Sequence, residues 1–281
     1  CPAGIDIPGF LRRMEAKNYI GAARLIREKN PFGETCGFTC AAEKLCQQNC
    51  YRKDFTGKPV NIAELQSWVC QEAGEDGWPQ REPVDKDHTI AVIGCGPSAM
   101  SCAYYLTLAG CRVTIFAKES RPGGKLLEKA MANPRLQAAL QRDIEGILAS
   151  GVTFLGNREP LQETDLELMC KQYSYVYITK DQLSGPQDPE ASVSFSNPVA
   201  HLTGLFIGEE FLINGVSVVE AVAIGRRGES SHGRVIGTAQ RAGQTGGDGH
   251  QRVAGAHRVT HSRDGAQVRH RGGNSQVQHP G

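Results

Sequence analysis

No run of apolar residues in this 281-residue chain is long enough to cross a bilayer as a helix. An excess of charge of one sign is also missing. The formal net charge is +1, so there is no global case for nucleic acid or an acidic lipid surface as a partner. The chain opens on Cys1 rather than Met, and neither the charged n-region nor the apolar h-region of a secretory signal follows. It is therefore expected to be a fragment whose natural start lies upstream. Histidine is scarce. Before residue 228 only His88, just ahead of a strand, and His201, in a loop, occur, and both are expected at the surface. With no Ser–His–Asp set and no paired carboxylates, hydrolytic chemistry has no evident machinery.

What the chain has is cysteine: ten residues, five of them within the first 50. The stretch "CGFTCAAEKLCQQNC" spaces Cys36, Cys40, Cys46 and Cys50 by three, five and three residues, and Cys1–Pro2 opens the chain. A long chain without a signal, holding a nucleotide-binding signature, points to a reducing and hence cytoplasmic compartment rather than to disulfides. Zinc sites usually pair C-x2-C or C-x4-C twice over, which the observed spacing fits poorly. Iron–sulfur clusters take thiolates from loop-rich backbone, and in two-cluster ferredoxins a Cys-Pro closes a run and serves the other cluster. Cys1–Pro2 has that form. A buried, reduced or zinc-bound thiol group is the alternative. Cys70, Cys102, Cys111 and Cys170 follow no pattern and are expected as small core hydrophobes.

Three segments differ in their statistics. Residues 1–85 read as helices and cysteine loops. "IPGFLRRMEAKNY", "YIGAARLIREKN" and "PVNIAELQSWVCQEA" are the helices, and the polar "EDGWPQREPVDKD" is a linker. Residues 86–227 read as α/β. "TIAVIGCG", "CRVTIFA", "GVTFLG" and "YSYVYIT" are strands, alternating with the helices "PSAMSCAYYLTLAG" and "LQAALQRDIEGILASG". That order implies a parallel sheet of Rossmann-like type. Residues 228–281 hold 12 of the 33 glycines and 6 of the 8 histidines, and no Leu, Lys, Phe, Tyr, Trp or Cys. Such a stretch buries too little apolar surface to offset its conformational entropy, and is expected to be disordered. Its seven Arg without one Lys are what a frame-shifted translation of GC-rich sequence gives. An Arg/Gly nucleic-acid tail or a His-rich metal tract are the functional alternatives, although the histidines have no ligand spacing.

The segment from "CPAGIDIPGFLRRMEAKNYIGAARLIREKNPFGETCGFTCAAEKLCQQNCYR" to "PVNIAELQ" resembles the two-cluster N-terminal domain of the dihydropyrimidine dehydrogenase and glutamate synthase small-subunit family. The resemblance implies two [4Fe–4S] clusters. Cys1, Cys40, Cys46 and the side chain of Gln66 would hold one. Cys50 would serve the other, whose remaining three cysteines are absent. Cys36 matches a family cysteine that is not clearly a ligand.

"IAVIGCGPSAMSCAYYLTLAG" carries Gly94-x-Gly96-x-x-Ala99 between a strand and a helix opened by Pro97. Gly94 permits the tight turn, Gly96 lets backbone approach a pyrophosphate, and small Ala99 lets helix and strand pack closely. The helix N-terminus offers free N–H groups to the phosphates. Pro122-Gly123-Gly124 resembles the second phosphate-side loop of the same family, where the dinucleotide is FAD. The acid expected at the end of the second strand is replaced by Ala117, and Glu119 could substitute only if the loop shifts. "TGLFIGEEFLINGVSVVEAVAIGRR" resembles the family's closing motif. Glu209-Glu210 stand there for Gly-Asp, Glu210 keeping the charge, while Gly215 and Val218 to Gly225 match better. No second glycine fingerprint lies between Gly124 and Gly204, so the NAD(P)H-binding insertion of the full-length relatives is expected to be missing.

These resemblances imply an iron–sulfur flavoprotein oxidoreductase subunit that passes electrons between FAD and [4Fe–4S] clusters. A redox partner subunit or domain would oxidise NAD(P)H or reduce the substrate, and no nucleic acid or membrane span is involved. The alternatives are a non-catalytic scaffold, or the truncated product of a complete NAD(P)H-dependent oxidoreductase.

Overall fold

The computed structural model describes residues 1–80, 88–159, 163–182, 205–208 and 217–227. The tail from 228, His201, Glu209, Glu210, Gly215 and most of the segment from 180 to Gly204 lie outside the described residues.

Side-chain caps set the start of the first helices. The Asp6 carboxylate accepts the Gly9 N–H (3.0 Å) and opens α1 (Ile7–Glu15). Asn18 Oδ1 accepts the Gly21 N–H (2.9 Å) and opens α2 (Tyr19–Arg27). Each such cap is worth about 1 kcal/mol. The cysteine stretch is partly helical: Cys36 lies inside α3 (Gly33–Thr39) and Cys40 ends it. After the short α4 (Arg52–Thr56) comes α5 (Ile62–Glu72). It packs closely on α3, where a Cβ on Gly37 would overlap Ser67.

The second half is a five-stranded parallel sheet in the order β3-β2-β1-β4-β5. Its strands are β1 (Thr89–Ile93), β2 (Arg112–Phe116), β3 (Thr153–Leu155), β4 (Tyr175–Thr179) and β5 (Leu205–Gly208). Between them run α6 (Pro97–Leu108), α7 (Lys125–Ala130), α8 (Pro134–Ala149) and α9 (Glu163–Gln172), and α10 (218–227) follows. β1 reads Thr-Ile-Ala-Val-Ile, nearly continuous apolar sequence, because both faces of the sheet are covered. Ile90, Val92 and Ile115 pack towards α6 and α8, while Ala91, Ile93 and Val176 pack with Leu166 and Met169 of α9. The Rossmann-like arrangement read from the sequence is therefore present.

The helical segment shares the core of the sheet domain: Ala3, Phe32 and Cys36 are buried in one cluster with Met100, Tyr104 and Ile147. The start of the stretch expected as linker forms a 3-10 turn, Gly74–Gly77, followed by Trp78. Its indole packs edge-on to Tyr104 (centroids 5.7 Å apart) and lies against Gly146 of α8, where a Cβ would overlap it. Above the indole sits the Arg27 guanidinium, 4.3 Å from the ring centroid, donating to the carbonyls of Cys70 (3.0 Å) and Gly74 (3.2 Å). Alongside, Arg142 of α8 grips Glu34 of α3 through both carboxylate oxygens. Its neighbour Asp143, wholly buried, accepts the Thr35 N–H at 2.8 Å.

Burial pushes the Asp143 carboxyl up to about 7, against the lowering effects of the Thr35 N–H and Arg27. A folded-state pKa above the unfolded value means that the native state holds the extra proton, so its contribution is complete below about pH 4 and is lost as pH rises towards 7. Asp143→Asn, which keeps an oxygen for Thr35, should flatten that slope by a few kcal/mol across the window. Urea denaturation of both proteins between pH 4 and 8 checks this, and identical slopes refute it.

Candidate cofactor sites

The first site is a cavity between the cysteine segment and α5, enclosing about 390 Å³ of atom-free space, partly open to solvent. Cys1, Cys40, Cys46 and Gln66 all line it, together with Cys36 and Asn30. Each is fixed by local backbone. A turn closed by Gly4 N–H to the Cys1 carbonyl (3.0 Å) presents Cys1, and Arg226 of α10 donates to the neighbouring Ala3 carbonyl (3.0 Å). The last turn of α3 sets Cys36 and Cys40, whose N–H donates to the Cys36 carbonyl (3.0 Å). Gln66 on α5 donates Nε2 to the Gly33 carbonyl (2.8 Å), which leaves its Oε1 as the atom available to the cavity. Val219 of α10 supplies part of the apolar wall.

Burial, and then the neighbouring Cys46, push the Cys40 thiol up to about 11. Burial likewise raises Cys46 and, further still, Cys36. All three are thiols at neutral pH, so any metal they bind must displace protons. Among the described residues no three His, Cys, Asp or Glu side chains converge as ligands of one metal ion. A four-iron cube takes one ligand at each iron. Three thiols and an amide oxygen on the wall of one mostly apolar cavity match that donor count.

Cys50 does not line this cavity. It is half-buried, and its sulfur accepts the Val60 N–H at 3.4 Å. The exposed rings of Tyr51 and Phe55 follow it on α4, edge to face with centroids 4.7 Å apart.

The second site lies at the carboxyl ends of β1, β2 and β4, where open α/β sheets bind ligands. Gly94 sits at φ +115°, and a Cβ there would overlap the Thr179 hydroxyl. Gly96 caps α6, and Pro97 at its first position has no N–H of its own to satisfy. The second glycine loop folds onto the first: Gly123 N–H donates to the Cys95 carbonyl (2.7 Å), and a Cβ on Gly124 would stand 3.1 Å from Gly96 Cα. Ala99 is wholly buried beneath them. The pocket between the loops is lined by Cys95, Gly96, Lys118, Glu119 and Gly124, with Asp181 and Gln182 just past β4. Ala117 is buried, its backbone paired with Leu155 and Arg158. Glu119 turns back to the pocket, its Oε2 3.3 Å from the Cys95 sulfur.

Of the closing motif, Leu205–Gly208 form β5 and residues 217–227 are also described, with Val218 buried on α10. This helix packs against the start of α6, where a Cβ on Gly225 would overlap the Ser98 carbonyl, and Glu220 caps it through the Ser217 N–H (2.9 Å).

Sequence reasoning did not single out Asn30, Asp181 or Gln182. The last two follow a strand of a parallel sheet, and the rule that ligands sit past strand ends could have flagged them. Asn30 reaches its site only through tertiary packing.

Comparison with known proteins matches both halves of the chain to described families. Residues 1–78 match the family described as dihydropyrimidine dehydrogenase domain II, 4Fe-4S cluster, and residues 92–141 match the NAD(P)-binding Rossmann-like domain. The NAD-dependent dihydropyrimidine dehydrogenase subunit PreT of Salmonella typhimurium is 34% identical over 64% of this chain and 43% of its own length. Its Escherichia coli counterpart is 35% identical over 66% and 45%. The putative oxidoreductase YgfK of Escherichia coli is 35% identical over 76% of this chain and 22% of its own. The chain thus spans less than half the length of these relatives.

Cys46→Ser should lower the iron and sulfide retained per chain after anaerobic reconstitution several-fold, as should Cys40→Ser. Cys36→Ala should leave both near the unsubstituted level. Iron and acid-labile sulfide assays decide, and equal losses in all three would count against the ligand set.

Proposed function

We propose that this chain, which carries the 4Fe-4S domain of dihydropyrimidine dehydrogenases followed by a Rossmann-like dinucleotide domain, is an electron-transfer subunit of an iron–sulfur flavoprotein oxidoreductase. The observation that carries the reading is that Cys1, Cys40, Cys46 and Gln66, up to 65 positions apart, line one cavity in a chain that also closes two glycine loops over a pocket at the sheet end. A bound cluster supplies one-electron chemistry, and FAD interconverts one- and two-electron steps.

The chain's own residues bind and shield. The three thiols give up protons to become ligands, Gln66 offers its amide oxygen, and the apolar wall of Ile5, Leu45, Ile62 and Val219 limits water. At the second site the N-terminal end of α6 and the close approach permitted at Gly96 and Gly124 suit a pyrophosphate. Lys118 and Lys125 add positive charge beside it, and Glu119 is the one carboxylate of the β2 end that lines the pocket, a candidate for the adenosine ribose hydroxyls. FAD rather than a nicotinamide dinucleotide is our reading, from the likeness of the glycine loops and of the stretch containing Val218 to those of the flavoproteins. Glu210 would assist from the same closing motif, and Cys50 would serve a second cluster. The relatives named as dehydrogenase subunits support expecting a partner chain that oxidises NAD(P)H or reduces the substrate.

Anaerobic reconstitution of the full chain with iron, sulfide and FAD should give a yellow-brown protein with both flavin and cluster absorption. A colourless product overturns the reading, and cluster absorption without flavin confines the chain to the first site. Glu119→Gln should weaken FAD binding about tenfold, the worth of one hydrogen bond to a charged group. Fluorescence titration measures it, and unchanged affinity removes Glu119 from the site.

A further inference from the structure

Asn30 is wholly buried in the wall of the cysteine cavity. Its amide is held by one end only. Oδ1 accepts the Phe32 N–H at 3.0 Å, which fixes which side of the amide is oxygen, since a flip would set two donors against each other. Nδ2 faces the other way, and no acceptor meets it at hydrogen-bonding geometry. The sulfur it approaches is that of Cys36, whose thiolate form it favours.

A buried N–H pair left without an acceptor is costly, and native interiors rarely tolerate it unless something else fills the role. None of the groups that line the cavity beside it, thiols, apolar side chains and the Gln66 amide oxygen, meets this donor at hydrogen-bonding geometry. A sulfur-rich group seated in the cavity would present many acceptors to this one fixed donor. Hydrogen bonds to the sulfurs of an iron–sulfur cluster are among the determinants of its potential, because they stabilise the more negative, reduced state.

We infer that Asn30 donates an N–H···S hydrogen bond to the cluster bound in this cavity and raises its reduction potential, making it a positioning and tuning residue rather than a ligand. The inference rests on the cluster reading given under Proposed function and deepens it. It adds a determinant from the turn between α2 and α3, outside the cysteine loop.

The test is the cluster midpoint potential, followed by visible absorption in a redox titration of the reconstituted full chain. Asn30→Asp keeps an oxygen for the Phe32 N–H and removes the donor, and Asn30→Leu removes both polar ends at similar volume. Both should bind cluster and both should shift the midpoint to more negative values, by at least a tenfold change in the oxidised-to-reduced ratio, about 59 mV for one electron. The shift should be larger for Asn30→Asp, whose carboxylate also repels the added electron. If Asn30→Leu fails to fold, Asn30→Asp alone decides. An unshifted midpoint at full cluster content overturns the inference, as does loss of the cluster from a folded Asn30→Asp protein, which would make the residue a binding requirement instead. Failure of the unsubstituted chain to take up any cluster overturns the cluster reading itself, an outcome distinguishable from either.

Discussion

The packing of α8 against α3 is the contact on which both candidate sites depend. α8 belongs to the sheet domain, started by Asn133 and Pro134, and α3 carries Cys36 and ends at Cys40. Between them a buried carboxylate accepts a backbone N–H, an arginine grips Glu34, and Trp78 fills the gap that Gly146 leaves. These are expensive groups to bury. Glu34 is buried while its partner Arg142 stays partly exposed, so removing the arginine would leave the carboxylate uncompensated. Such contacts tolerate few alternative arrangements. The position of α3, and with it the cavity wall, is therefore inherited from the sheet rather than from the cysteine loop itself.

The two glycine loops show the same economy of space from the other side. Gly124 and Gly96 approach so closely that a Cβ on Gly124 would crowd Gly96 Cα at 3.1 Å, and Gly94 leaves room for the Thr179 hydroxyl. The pocket over the sheet end is thus shaped by what is missing from three side chains. Ala117, which removes the usual acid, is buried and paired through its backbone, and Glu119 reaches the pocket from two residues further on. Sequence reasoning required a loop shift for that. The structure gets there with a turn in which Glu119 accepts Asn157 N–H through its main chain (3.2 Å) while its side chain bends inwards.

Much of this was legible in the residues. Apolar spacing disclosed α1, α2 and α5, the run Thr-Ile-Ala-Val-Ile announced a strand buried on both faces, and glycines after a strand marked the dinucleotide turn. The separation of Cys50 from Cys1, Cys40 and Cys46 followed from the resemblance, and in the structure Cys50 lies outside the cavity that the other three line. What stayed hidden depends on long-range closure. Asn30 looks like an ordinary helix-end residue until Phe32 fixes one side of its amide. Trp78 reads as part of a polar linker until Arg27 and Tyr104 close on it. Arg226 meets Ala3 across 223 positions, a pairing that no local pattern encodes.

That last contact orders events in time as well as in space. A ribosome delivers Cys1, Cys40 and Cys46 before Val219 and Arg226, so the thiols emerge long before the last pieces of their wall arrive. Until then the cysteines are exposed to oxidants and to stray metal. Any group that this cavity takes up meets a complete wall only once the chain has been made as far as residue 227.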